Sequence, residues 1–144
     1  KYIKALCFAG SADTCVLDLY MKDTSSGASH NSIGTNTNQF GEFEVNGFQS
    51  IVAITLDDLS EVKGILLPNH IKLDVDGREL EILKGSSKLL LTIETILVEI
   101  EGSNRGENLE DIENLLSNAG LIEDTEWRDK GSGRNRLYKR DRNL

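Results

Sequence analysis

The chain is poor in the residues that cross-link or stiffen a fold. It holds two cysteines and one proline in 144 residues, and aromatic residues make up only 6%. Cys7 and Cys15 are too few for a disulfide framework, and the gap between them is not a usual zinc spacing. They read as reduced, small apolar residues, which implies a reducing, cytoplasmic setting. No apolar run approaches the ~20 residues needed to cross a bilayer, so no membrane span is expected. No signal-peptide pattern follows Lys1. The GxSxG, HExxH and P-loop patterns are missing too. The closest glycine pair, Gly131 and Gly133, lacks the helix that a phosphate-cradling loop requires. His30 and His70 stand in no metal-ligand pattern with another His or Cys, and no metal site is expected.

What is present is charge, unevenly spread. Net charge is −8, yet positions 128–144 carry seven basic and two acidic residues. That end is therefore +5 and the remainder −13. An acidic body disfavours nucleic acid, whose affinity comes mainly from neutralised phosphates. The basic end reads as a solvated terminus. A hydrophobic content of 38% and a length suited to one domain argue for a globular chain with a sizeable core.

The pattern of apolar residues divides the chain. Positions 2–9 and 14–20 read as two strands joined by a short turn, a hairpin that would point the two thiols to opposite sides. A long polar stretch follows from Lys22 to Asn46, of the kind that is functional or mobile inside a compact domain. Positions 49–54 return to strand. Thr55 then caps a helix with Asp57 and Asp58 in its first turn. In the second half, 71–75 reads as a strand, 77–84 as a helix ended by Gly85, and 96–100 as a strand. Asn108 caps a helix with an apolar face of Leu109, Ile112, Leu116 and Ala119, stopped by Gly120. Positions 121–126 and 136–140 form a closing strand pair. Strand and helix in alternation predict an α/β fold with a parallel sheet.

Ligands of such sheets sit beyond the carboxyl ends of the strands. Two strands here finish in acids: Asp74 and Asp76 on one, Glu99 and Glu101 on the next. If the strands are neighbours, up to four carboxylates converge. Alternation puts Lys72, Asp74 and Asp76 on one face, where an ammonium buried in mid-strand finds its counter-charge in Asp74 or Glu99. Asp76 with Glu79 fits a capping box, which explains both without catalysis. Glu101 fits a solvated position. Asp74 and Glu99 are the acids whose cost inside apolar strands points to use or to pairing. His30, in the polar loop, reads as solvated or as a base carried in from that loop.

These residues resemble a known family. The run His70 to Gly85 (HIKLDVDGRELEILKG) followed by ILVEIE is similar to the FkbM-type S-adenosylmethionine-dependent methyltransferases. Their hallmark is a strand reading IK-I/L-DV-E/D-G, a helix of the ExxxLKG kind, and a next strand ending in Glu. VAITLDDL, ALCFAGSADTCVLDLY and SGASHNSIG resemble segments upstream. The resemblance implies a partial Rossmann-like class I methyltransferase sheet, mixed with a C-terminal antiparallel strand pair. The family's glycine-rich D-x-G-A-N-x-G turn has no match here. The chain is therefore expected to be a single domain over 1–144, truncated at its N-terminus. It would lack the first two strands of the sheet, leave the 71–75 strand at an exposed edge, and be inactive alone.

The resemblance further implies transfer of a methyl group from S-adenosylmethionine to a hydroxyl of a sugar or other natural product. On that reading Asp74 is base or positioner, Glu99 is second, and Lys72 holds or tunes them. Ala9, Ser11 and Asp74 would contact the cofactor, and 26–32 would line the acceptor site. Two other readings compete. One is a non-catalytic α/β binding or structural remnant. The other is a phosphoacceptor signalling domain, against which the acids ending the second strand argue.

Overall fold

A computed structural model of the chain describes residues 3–38, 40–100, 107–131 and 133–141. The fold is mixed α/β and is built on two four-stranded sheets. The first comprises β1 (Ala9–Gly10), β2 (Cys15–Met21), β3 (Ser32–Ile33) and β6 (Gly47–Ile54), in the order β1-β6-β2-β3. Between β3 and β6, β4 (Thr37–Asn38) and β5 (Gly41–Glu42) form a small ribbon of their own. The polar stretch from Lys22 to Asn46 is thus ordered in part by short strands.

The expected hairpin does not form. Ala9 pairs in parallel with Ala53, and Cys15 pairs antiparallel with the same Ala53. β6 therefore lies between the two segments, and the turn that follows β1 passes over its end, where Ser11 N–H donates to Ile54 O (3.1 Å). β2 gains seven paired residues along β6, from Cys15↔Ala53 to Met21↔Gly47, far more ladder than a partnership with β1 would offer. Residues 3–8 lie outside any strand, and Tyr2, the first residue of the expected strand, lies outside the described residues. Both cysteines are exposed thiols rather than small core residues.

Thr55 caps α1 (Leu56–Ser60) as its sequence signal predicts, its side chain accepting from Asp58 N–H. Asp57 then reaches into the second half of the chain. Its carboxylate accepts from the N–H groups of Lys88 (3.0 Å) and Leu89 (2.8 Å) at the start of a 3-10 turn over Leu89–Leu91.

The second sheet contains β7 (His70–Leu73), β8 (Thr95–Glu99), β9 (Leu121–Glu123) and β10 (Asn135–Arg140), in the order β7-β8-β10-β9. β7 and β8 are parallel, with α2 (Glu79–Lys84) and the 3-10 turn between them in sequence; β10 runs antiparallel to both of its neighbours. The sheet is therefore mixed, with the expected closing strands as its antiparallel part. β9 is shorter than the expected 121–126, because Asp124 caps α4 (Thr125–Lys130) and accepts from Trp127 N–H (2.9 Å).

The core lies almost wholly in this half. Leu80 and Leu83 of α2, Ile96 and Val98 of β8, and Ile112 and Leu116 of α3 (Glu107–Asn118) pack with Leu90, Ile93, Leu121 and Tyr138. The apolar face predicted for α3 is the face that is buried. The helix already includes Asn108, so Asn108 does not cap it, and the residues before 107 lie outside those described. Gly120 follows α3 at φ 76°, the left-handed conformation that ends a helix at low cost when the residue is glycine.

The two sheets meet at α2. Gly10 of β1 lies against Ile82, and a Cβ on Gly85 would overlap the Ser11 carbonyl oxygen and stand 3.2 Å from Ala12 Cα. Gly85 does end α2 as predicted. Its φ of −85° suits any residue, so what demands glycine is the closeness of this backbone.

Candidate functional site

The parallel register ends at Leu73↔Val98. Asp74 and Glu99 come next on their strands, and this sets the two carboxyl groups side by side beyond the sheet. Lys72 Nζ forms an ion pair with Asp74 Oδ2, and Arg134 Nη2 lies 3.6 Å from Glu99 Oε1. The Lys72 ammonium holds the Asp74 carboxyl below its ordinary range; a hydrogen bond with Glu99 acts the same way, partial burial opposes, and Arg134 adds a smaller pull. The same contact raises the Lys72 ammonium.

The sequence therefore brings together the three residues expected to share a site, but not for the expected reason. The Lys72 side chain is 60% exposed and that of Asp74 38% exposed, so no buried mid-strand ammonium forces the pairing. β7 stops at Leu73, and Asp74 already belongs to the loop. Glu101, the fourth expected carboxylate, lies outside the described residues.

The turn beyond Asp74 is where the sequence misleads. Asp76 is not a helix cap: the N-cap position is Arg78, and Asp76 takes φ 54° with Gly77 at φ 104°. Two successive left-handed residues break the strand alternation that would have aligned Asp76 with Lys72 and Asp74. A left-handed non-glycine residue costs roughly 1–2 kcal/mol, so something must hold it. That group is Glu79. Its side chain is buried at 1% exposure, and its carboxylate accepts from Val75 N–H (3.0 Å) and Gly77 N–H (3.1 Å). Sequence reasoning assigned Glu79 to an ordinary cap; the available clue was an acid two residues after a glycine, inside an otherwise apolar motif.

The pinned turn forms one wall of a cavity of about 380 Å³. The opposite wall comes from 31–38, with the side chains of Asn31, Ser32, Thr35, Thr37 and Asn38. Arg78 ties the walls together, its Nη1 donating to Ile33 O (3.1 Å). Of the loop expected to line an acceptor site, 31–32 reach this cavity. Residues 26–30 line a larger open trough of about 870 Å³ with Lys22 to Ser25 and Asn46. His30 belongs to that trough; its ring packs edge-on against Phe40 at 5.0 Å. The smaller cavity is the better candidate despite its size, because its wall contains Val75 and Asp76, the residues that directly follow Asp74.

Ala9 and Ser11 are elsewhere. They are 7% and 6% exposed and sit where β1 meets the C-terminal end of α2, whereas Asp74 precedes its N-terminal end. A six-residue helix is ~9 Å long, so these residues and Asp74 lie about that far apart along it. Of the three positions assigned to S-adenosylmethionine, Asp74 is open and the other two are sealed. Among the described residues, no three His, Cys, Asp or Glu side chains converge as metal ligands. No helix among them is long and apolar enough to cross a membrane.

The hexuronic acid methyltransferase AglP of Haloferax volcanii is 39% identical over 75 residues, which is 52% of this chain and 30% of that protein. The chain thus spans under a third of the length of this curated relative. No solved structure matches it. The Methyltransferase FkbM domain matches residues 4–122, a span that includes α1, the β7–α2–β8 unit, the strand-end carboxylates and the pinned turn, and on that match the chain belongs to the FkbM methyltransferase family.

Proposed function

We propose that the chain provides the acceptor side of an S-adenosylmethionine-dependent O-methyltransferase that acts on a sugar hydroxyl. The observation that carries this reading is the Asp74–Glu99 carboxyl pair at the strand ends, from which the chain runs directly through Val75 and Asp76 into the wall of a cavity lined by hydroxyl and amide side chains. The family supports methyl transfer, and the hexuronic acid methyltransferase supports a sugar as acceptor. The parallel β7–β8 pair followed by antiparallel β10 and β9 supports a Rossmann-like methyltransferase sheet.

An alcohol sheds its proton as its oxygen is methylated, so the acceptor hydroxyl needs a hydrogen-bond acceptor aimed at it. Asp74, kept ionised by Lys72, fills that role. Its lowered proton affinity makes it a weak base, so its main contribution is to orient the hydroxyl and stabilise positive charge developing on the oxygen. Glu99, hydrogen-bonded to Asp74, helps hold its orientation, and the hydroxyl proton, made acidic as the oxygen takes the methyl, leaves to water. Lys72 holds Asp74 in place and in charge.

The test is transfer of labelled methyl from S-adenosylmethionine to glucuronate and glucose, comparing the wild type with Asp74→Asn. The substitution preserves shape and removes charge, and should lower kcat on the order of a hundredfold with KM little changed. Transfer within twofold of wild type would remove Asp74 from the chemistry. A non-catalytic sugar-binding role is the second reading, favoured by the sealed positions of Ala9 and Ser11. Sugar binding without any methyl transfer would select it.

A further inference from the structure

The geometry points to Arg78 as a reader of negative charge on the acceptor: the cavity beside the pinned turn is a site for an anionic sugar, a uronate rather than a neutral hexose. This rests on the sugar-acceptor reading above and narrows it.

Several cations of this acidic chain have a carboxylate partner. Lys72, Lys84, Arg128, Arg134, Arg136 and Lys139 each face a carboxylate. Arg140 spends its donors on the backbone carbonyls of Leu90, Ile93 and Ala119. Arg78 does neither. It forms no ion pair among the described residues, and its one hydrogen bond there is from Nη1 to Ile33 O. Its Nε is buried without a partner. Arg136 also has an unpartnered Nε, but that guanidinium is neutralised by Glu113 at 2.7 Å and Glu123 at 3.8 Å. Arg78 is half-buried against a cavity whose lining holds one carboxylate, Asp76, and among the described residues the two form no ion pair.

A guanidinium presents five N–H donors in a planar fork that suits a carboxylate and cannot be discharged by losing a proton. Holding Nη1 on Ile33 O fixes the plane of the fork, which limits the ordering that binding would otherwise require. Around it stand groups suited to the remainder of a sugar ring. Asn31, Ser32, Thr35, Thr37 and Asn38 can both donate to and accept from hydroxyls. Asp76 is in the same wall and can only accept when ionised. It would take a ring hydroxyl and repel a second carboxylate, so the acid group of the sugar is directed to the Arg78 end. A neutral hexose would offer the guanidinium no ion pair.

The test uses glucuronate, glucose and glucuronamide as probes, with binding followed by titration calorimetry or ligand-observed NMR. Wild-type protein should bind glucuronate at least about tenfold more tightly than either neutral sugar. Arg78→Gln should bring that ratio close to one, with the thermal midpoint monitored to show a folded chain. Arg78→Lys, which retains charge without the fork, should give an intermediate ratio. Because the wild-type ratio needs no variant, a misfolded Arg78→Gln still leaves the inference exposed to test. Equal binding of glucuronate and glucuronamide by the wild type overturns it, as does a preference that survives in folded Arg78→Gln. Failure here is separable from failure of the proposed function. A uronate preference without methyl transfer sinks the enzyme reading alone, and equal methylation of acidic and neutral sugars sinks the Arg78 site alone.

Discussion

Glu79 carries the most exposed physical argument in the molecule. Its buried carboxylate is the group that holds Val75 and Gly77 in place around left-handed Asp76. Replacing it with Gln changes almost no volume, so no cavity term enters. One amide oxygen can still accept, but the other acceptor becomes an NH2 facing a backbone N–H, and the charge assistance to both bonds is lost. A hydrogen bond to a charged group contributes ~1.5–3 kcal/mol, and an unmade buried donor costs ~1–3 kcal/mol. The expected loss for Glu79→Gln is therefore roughly 2–4 kcal/mol, a large part of the ~5–15 kcal/mol that holds a domain together. With a urea slope of ~1–3 kcal/mol per molar, the midpoint should fall by about 1–2 M. The control lies on the same helix. Glu81 is half-exposed and pairs with Lys84 at 2.9 Å. Glu81→Gln removes an equal charge from the same segment but should cost no more than about 0.5 kcal/mol. Matching urea midpoints for the two variants would show that the carboxylate does not hold the turn, and would remove the support for one wall of the cavity.

Other parts of the fold give equally direct expectations. Gly85→Ala sets a methyl group against the Ser11 carbonyl and the Ala12 backbone, which cannot rotate aside; a loss of about 3 kcal/mol is expected in thermal melts, and an unchanged midpoint would mean that the two halves do not pack as described. Arg140→Lys replaces a fork that serves the carbonyls of Leu90, Ile93 and Ala119 with a single ammonium, and should cost roughly 2–4 kcal/mol in urea unfolding; a loss under about 0.5 kcal/mol would refute the clamp. Burial pushes the Tyr138 phenol up to about 12, with Glu123 adding to it. Because the folded value lies above the unfolded ~10, stability is unaffected below pH 10 and falls as pH rises from there towards 12, by roughly 2–3 kcal/mol in all. Tyrosinate absorbance should show one residue lagging into that range, and completion of all tyrosine ionisation by pH 11 in folded protein would contradict it.

The elements that were legible in the sequence share a local cause. β6, β8 and the apolar face of α3 follow from periodicity within one segment, and Thr55 caps α1 through a bond three residues long. The adjacency of Asp74 and Glu99 was legible too, since a strand–helix–strand unit returns its second strand beside the first in parallel. What could not be read was pairing decided by a distant third party. Residues 9–10 and 15–21 look like a hairpin until β6, some forty residues on, takes the place between them. Alternation records that a segment is a strand and carries nothing about which neighbour it chooses.

The same limit explains the errors around Asp76 and Glu79. Asp-x-x-Glu before an apolar run has a standard meaning as a cap, and nothing local signals that the chain instead turns left-handed and buries the second acid. That outcome depends on Glu79 being driven inward with the apolar face of α2, where Leu80 and Leu83 pack into the core. A carboxylate carried inside must find donors, and Glu79 finds them in the Val75 and Gly77 N–H groups of the preceding turn. The burial of α2 thus shapes the loop in front of it. The cavity has the same dependence at longer range, because Arg78 reaches Ile33, forty-five positions away, to bring the polar loop against that turn. A site whose two walls are fixed by the packing of one short helix should lose ligand affinity with any substitution that loosens α2, even one far from the ligand. Gly85→Ala is such a case, at the opposite end of the helix from Asp74, and weakened glucuronate binding in a still-folded Gly85→Ala protein is the outcome this coupling requires.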